Sequence, residues 1–107
     1  MDFRVKHAID LISKDLTRPL VLEDVARAVN LSTPHLRSLF SAETGMTPAR
    51  YLKSLRMQKA EELLRTTFLS VKQVMFQVGI DEKSHFARVF RQAYGQSPAE
   101  YRRRVRG

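Results

Sequence analysis

Two short stretches carry the chemistry this chain can do. Ser84, Ala87, Arg88 and Arg91 stand at i, i+3, i+4 and i+7, a spacing that lines one stripe of a helix. Pro34, Arg37, Ser38 and Ser41 form the same pattern fifty residues earlier. Arginine offers two parallel donors that fit a guanine edge, serine gives or accepts a hydrogen bond, and alanine or proline suits a thymine methyl. Any amphipathic helix has a polar face, so a lone arginine would decide nothing. The weight comes from repetition: His35, Phe40, Gly45, Pro48, Ala49 and Tyr51 recur as His85, Phe90, Gly95, Pro98, Ala99 and Tyr101, each fifty residues on. Val25, Ala26, Val29 and Leu31 face Val74, Met75, Val78 and Ile80 at forty-nine. The second copy therefore holds one extra residue in the turn before its last helix. Two copies of one surface imply a periodic ligand, and duplex DNA is the candidate.

Charge agrees. Nineteen Lys and Arg against eleven Asp and Glu give a formal net charge of +8 over 107 residues, which favours a polyanion. Other chemistries lack their parts. With no cysteine, disulfides, thiolate zinc sites and cysteine nucleophiles are excluded. His35 and His85 have no second metal ligand at useful spacing. No nucleophile–base group, glycine-rich phosphate loop or carboxylate pair appears, so the expectation is a non-enzyme without cofactor or metal. Tyr51 and Tyr101 read as core pins. No apolar run is long enough to span a membrane and no signal-type apolar segment follows Met1, which points to the cytoplasm.

The elements that must position these stripes are helices. Val5, Ile9, Ile12 and Leu16 mark a first helix from about Phe3 to Leu16. A short second, about Leu22 to Val29, opens without a side-chain cap at Val21. Ser32 caps a third, with Pro34 in its first turn and Gly45 at its end. Thr47-Pro48 starts the longest, to about Arg65, apolar on more than one face. Ser70–Gln73 is a capping box for a fifth, ended by Gly79. Asp81 is the expected cap of a sixth, ended by Gly95, and Ser97–Glu100 opens a seventh. Leu36, Leu39 and Phe40 on the third helix, and Phe86, Val89 and Phe90 on the sixth, must face a core. The expected fold is all-α, with about seven helices: a helix-turn-helix subdomain over 1–46, a connecting helix over 47–66 and a second helix-turn-helix subdomain over 67–107. At ~27 Å, the connecting helix could hold the two recognition helices about one DNA turn apart.

The run from Ser32 to Phe40, followed by Glu43-Thr44-Gly45 and Thr47-Pro48, resembles the first helix-turn-helix of bacterial AraC/XylS-type transcription regulators. Gly79 to Arg102 is similar to that family's signature around the second, and Tyr51 to Ala60 to its connecting helix. The resemblance implies a DNA-binding domain whose recognition helices enter successive major grooves. It puts base reading on Pro34, Arg37 and Ser38, and on Lys83, Ser84, Ala87 and Arg88. Phosphate contacts are expected from Ser32, Thr33, His35, Ser41, His85, Arg91, Arg102 and Arg103. Partners would be double-stranded DNA and RNA polymerase, with no membrane and no visible small-molecule effector site, and the isolated domain would be monomeric. The expected role is sequence-specific transcription regulation, usually activation. The alternative is a non-specific nucleoid or RNA-binding architectural protein. Nothing here resembles the family's sensing domain, so the chain reads as a short regulator or the C-terminal domain of a larger one.

Overall fold

The computed structural model describes residues 1–107 as seven helices without a strand: α1 (Phe3–Lys14), α2 (Leu22–Ala28), α3 (Thr33–Thr44), α4 (Pro48–Thr66), α5 (Val71–Gln77), α6 (Lys83–Tyr94) and α7 (Pro98–Arg106). The chain forms two compact units, Met1–Ser54 and Leu55–Gly107. The boundary falls inside α4.

In the first unit, the Asp2 carboxylate accepts from the Arg4 amide at 2.8 Å and caps α1. Hydrogen bonds from Arg4 hold this carboxyl down at about 2. The helix ends at Lys14, earlier than the apolar stripe suggests. Asp15 leaves helical geometry, and its carboxylate accepts from the Thr17 amide at 3.0 Å and the Thr17 hydroxyl at 2.6 Å. This local turn competes successfully with another helical turn through Leu16. Val21 gives α2 no side-chain cap, as expected, but Glu23 and Asp24 sit in its first turn, where the helix dipole favours them. Val5, Ala8, Ile12, Ala26, Val29, Leu36, Phe40 and Leu52 are the buried apolar residues of this unit. Phe40 meets Tyr51 edge to face at 5.4 Å.

The second unit repeats the plan. Met57, Ala60, Leu64, Val74, Met75, Val78, Ile80, Phe86, Val89, Phe90 and Tyr101 form its core. Phe90 meets Tyr101 at 5.5 Å, matching the Phe40–Tyr51 pair. Tyr51 and Tyr101 thus pin α4 and α7 to their respective cores.

Both helix-turn-helix turns use one backbone device. After α2, Asn30 takes φ 58° and the Leu31 amide donates to Ala26 O at 2.9 Å. After α5, Gly79 takes φ 84° and the Ile80 amide donates to Met75 O at 3.1 Å. These are left-handed helix stops in which the following amide reaches back to an orphan carbonyl. Glycine and asparagine are the two residues that adopt that conformation most readily, and they stand forty-nine apart. Gly45 and Gly95 end α3 and α6 at φ 76° and 78°.

The extra residue of the second copy corrects one expectation. The cap of α6 is Glu82, not Asp81. Ser32 caps α3, and its counterpart at the fifty-residue offset is Glu82. Asp81 is the inserted residue and falls one position too early to reach the first amides.

Candidate nucleic-acid interface

In each unit a short helix packs on the longer helix that follows it, α2 on α3 and α5 on α6. That contact fixes which face of the second helix is buried. On α3, Leu36 and Phe40 are fully buried, while Pro34, Arg37 and Ser38 are exposed and Ser41 is half-buried. On α6, Phe86, Val89 and Phe90 are buried, while Lys83, Ser84, Arg88 and Arg91 are exposed and Ala87 is half-buried. Each unit therefore presents a polar stripe of small residues and arginine to solvent, one helix wide. Leu39 is only half-buried.

The N-termini of α3 and α6 differ in charge. Ser32 Oγ accepts from the His35 amide at 3.2 Å, a neutral cap. Glu82 accepts from the Ser84 amide at 3.0 Å and the His85 amide at 2.5 Å, an anionic one. These two backbone donors hold the Glu82 carboxyl below its ordinary range. Thr33 is half-buried; His35 and His85 are exposed. His85 Nδ1 lies 3.0 Å from Arg88 Nη2.

The C-terminal arginines separate into distinct environments. Arg102 is half-buried, and its guanidinium donates to Leu64 O at 3.0 Å, Leu69 O at 2.5 Å and Thr67 O at 3.4 Å. Its donors are directed at the carbonyls where α4 ends, not toward solvent. Burial, together with nearby Arg106, pushes its pKa down. The phosphate contact expected of Arg102 therefore meets a guanidinium already engaged inside the protein. Arg103 is exposed. Arg104 lies over the Tyr101 ring at 5.7 Å, and Arg106 lies over Phe68 at 5.3 Å and also donates to Thr67 O. The basic C-terminus is thus helix, to Arg106, rather than a free tail.

Arg91 pairs with Glu100 at 3.2 Å, an exposed contact that holds little against water. Glu100 also accepts from the Ser97 amide, completing the capping box of α7. The hydrogen bond from Ser97 is the main cause of its lowered pKa. Arg56 is half-buried, and burial lowers its pKa.

Three features escaped the sequence reading. The Glu82 cap could have been found from the fifty-residue offset to Ser32. The His85–Arg88 contact follows an i, i+3 spacing, which is a local signal for pairing. The Arg102 clamp joins residues more than thirty positions apart and leaves no local signal.

A duplicated helix-turn-helix with one exposed polar stripe per unit defines the class of protein. The family described as a helix-turn-helix domain matches residues 25–104. The lactose operon transcription activator of Staphylococcus xylosus is 34% identical over 98 residues, covering 92% of this chain and 35% of that protein. The C-terminal domain of AraT, a response regulator from Geobacillus stearothermophilus, superimposes with a TM-score of 0.88 at 35% identity, over 96% of this chain and 86% of that one. The DNA-binding domain of AdpA, a global transcriptional factor solved in complex with a target DNA, gives a TM-score of 0.88 at 26% identity, over 96% of this chain and 93% of that one. The chain belongs to the AraC-type helix-turn-helix family. It spans about a third of the length of the curated relatives it matches.

Proposed function

We propose that this chain binds double-stranded DNA sequence-specifically and regulates transcription, with α3 and α6 as recognition helices in successive major grooves. The observation that carries the reading is the matched pair of exposed stripes, Pro34, Arg37 and Ser38 on α3 and Lys83, Ser84, Ala87 and Arg88 on α6, each backed by a buried aromatic face. A helix with that division of faces fits a major groove with its stripe against base edges. Relatives named as activators, and a structural neighbour solved on its target DNA, support the same reading. Activation through contact with RNA polymerase, action in the cytoplasm and a monomeric isolated domain complete the proposal.

Around the stripes, we assign phosphate contacts to Ser32, Thr33, His35, Ser41, Arg91 and Arg103; such contacts orient the domain without encoding sequence. Arg102 is left out of this set, because its donors serve the carbonyls at the end of α4. Selection from a pool of random duplexes tests the proposal. Enrichment of one bipartite sequence supports it, while equal retention of all duplexes indicates the non-specific architectural alternative.

A further inference from the structure

We infer that His85 holds Arg88 in place to read a base, acting as a positioning residue for specificity rather than as a phosphate ligand. The inference rests on the reading of α6 as a recognition helix. His85 Nδ1 and Arg88 Nη2 are 3.0 Å apart. A guanidinium has no lone pair to offer, so Arg88 donates and Nδ1 accepts. In this arrangement the Nδ1 lone pair faces Arg88, and Nε2 points away from the contact. The two residues sit at i and i+3 of α6, where side chains share a face.

Arginine carries large rotamer freedom, and a base contact must freeze it. A partner already in place on the same helix removes part of that cost before DNA arrives. The contact consumes one Nη2 hydrogen of five donors, which leaves enough for a bidentate contact to guanine O6 and N7. The His85 backbone, from which the imidazole projects, is held in the first turn of α6 by its amide, which donates to Glu82 at 2.5 Å.

The first unit has no such device. Three residues after His35 stands Ser38, not arginine, and Arg37 follows His35 by two, on a different face. The repeat therefore keeps the histidine but couples it to an arginine in the second copy alone. By this account α6 meets DNA with its arginine pre-aimed, whereas Arg37 is ordered on binding.

The test uses the duplex selected from a random pool by the unmodified chain, and three versions altered at the base pair that Arg88 governs. Asparagine places an oxygen near the position of Nδ1, whereas glutamine places an amide near Nε2. His85→Ala should reduce discrimination at that base pair by about two- to tenfold, with little change elsewhere. His85→Asn should restore most of it and His85→Gln should not. In the Arg88→Ala background, His85→Ala should have no further effect on discrimination. Uniform weakening on every duplex, restored by glutamine and additive with Arg88→Ala, would overturn the inference in favour of a phosphate contact. No effect of His85→Ala would overturn it as well. If Arg88→Ala leaves every base preference intact, the recognition reading itself fails, which is a separate result from failure of the positioning role.

Discussion

Replacing Arg102 with alanine separates what this residue does from what its position among the C-terminal arginines suggests. Its guanidinium reaches Leu64 O at 3.0 Å and Leu69 O at 2.5 Å, with a longer contact to Thr67 O at 3.4 Å. Leu64 lies in the last turn of α4, whose carbonyls have no partner within the helix. A hydrogen bond to a charged group contributes about 1.5–3 kcal/mol when water is excluded. Arg102 is half-buried, so water recovers part of the loss, and the long third contact adds little. Two good bonds at the low end of that range give about 2–3 kcal/mol. That is a large share of a stability of about 5–15 kcal/mol for a whole small protein. In urea the unfolding midpoint of the transition that includes the second unit should fall by roughly 1–2 M. Arg102→Lys should recover only part, because one ammonium cannot span carbonyls that a planar guanidinium reaches together. The slope of log affinity against log salt should be unchanged for both variants at a temperature where they are folded. Arg103→Ala should do the opposite, leaving the urea midpoint in place and reducing the slope by about 0.9. An Arg102→Ala variant of unchanged stability whose salt slope falls by about 0.9 would refute the assignment and return Arg102 to the phosphates.

Glu82→Ala should lower the urea midpoint, while Asp81→Ala should leave it nearly unchanged. Because the folded-state pKa of Glu82 is depressed, its contribution is present above the ordinary glutamate value of about 4.3 and disappears as pH falls through the depressed value. A series of urea midpoints from neutral to acid pH should therefore lose less in Glu82→Ala than in the unmodified chain. Phe40→Ala and Phe90→Ala each empty a fully buried aromatic position and should each cost about 3–5 kcal/mol in calorimetric or urea unfolding. Arg37→Ala and Arg88→Ala should each relax selection at about one base pair by ~1–3 kcal/mol, at sites roughly one helical turn apart. Loss of preference at the same base pair in both variants would count against two separate recognition helices.

The sequence made the helices and the exposed stripes legible because both rest on short-range rules. Helical spacing separated Phe86, Val89 and Phe90 from Ser84, Ala87 and Arg88, and the burial follows that division. Capping boxes at Ser70 and Ser97 formed as their residue types require. Boundaries failed where two local signals competed. Leu16 continues the apolar stripe of α1, but the Asp15 side chain turns the chain first. Asp81 and Glu82 can both cap, and only the one-residue insertion decides between them. Long-range pairing was not legible. Nothing within a few residues of Arg102 points to Leu64 or Leu69, and Tyr101 gives no local hint that its hydroxyl donates to Glu61. That contact raises the pKa of Tyr101 and is the main cause of the lowered pKa of Glu61. The C-terminal charge suggests a phosphate role for Arg102, and nothing near it in sequence reveals the carbonyls of Leu64 and Leu69 that its guanidinium meets.

The proposed function requires that the two stripes read sequence. The most direct measurement is the ratio of dissociation constants for the duplex selected from a random pool and a scrambled duplex of the same length and base composition, taken at one fixed near-physiological salt concentration. The selected duplex should bind at least about 10³-fold more tightly, with the ratio falling when either Arg37 or Arg88 is replaced by alanine. A ratio near one, unaffected by either substitution, would contradict it and leave only the charge of +8 as the basis for binding.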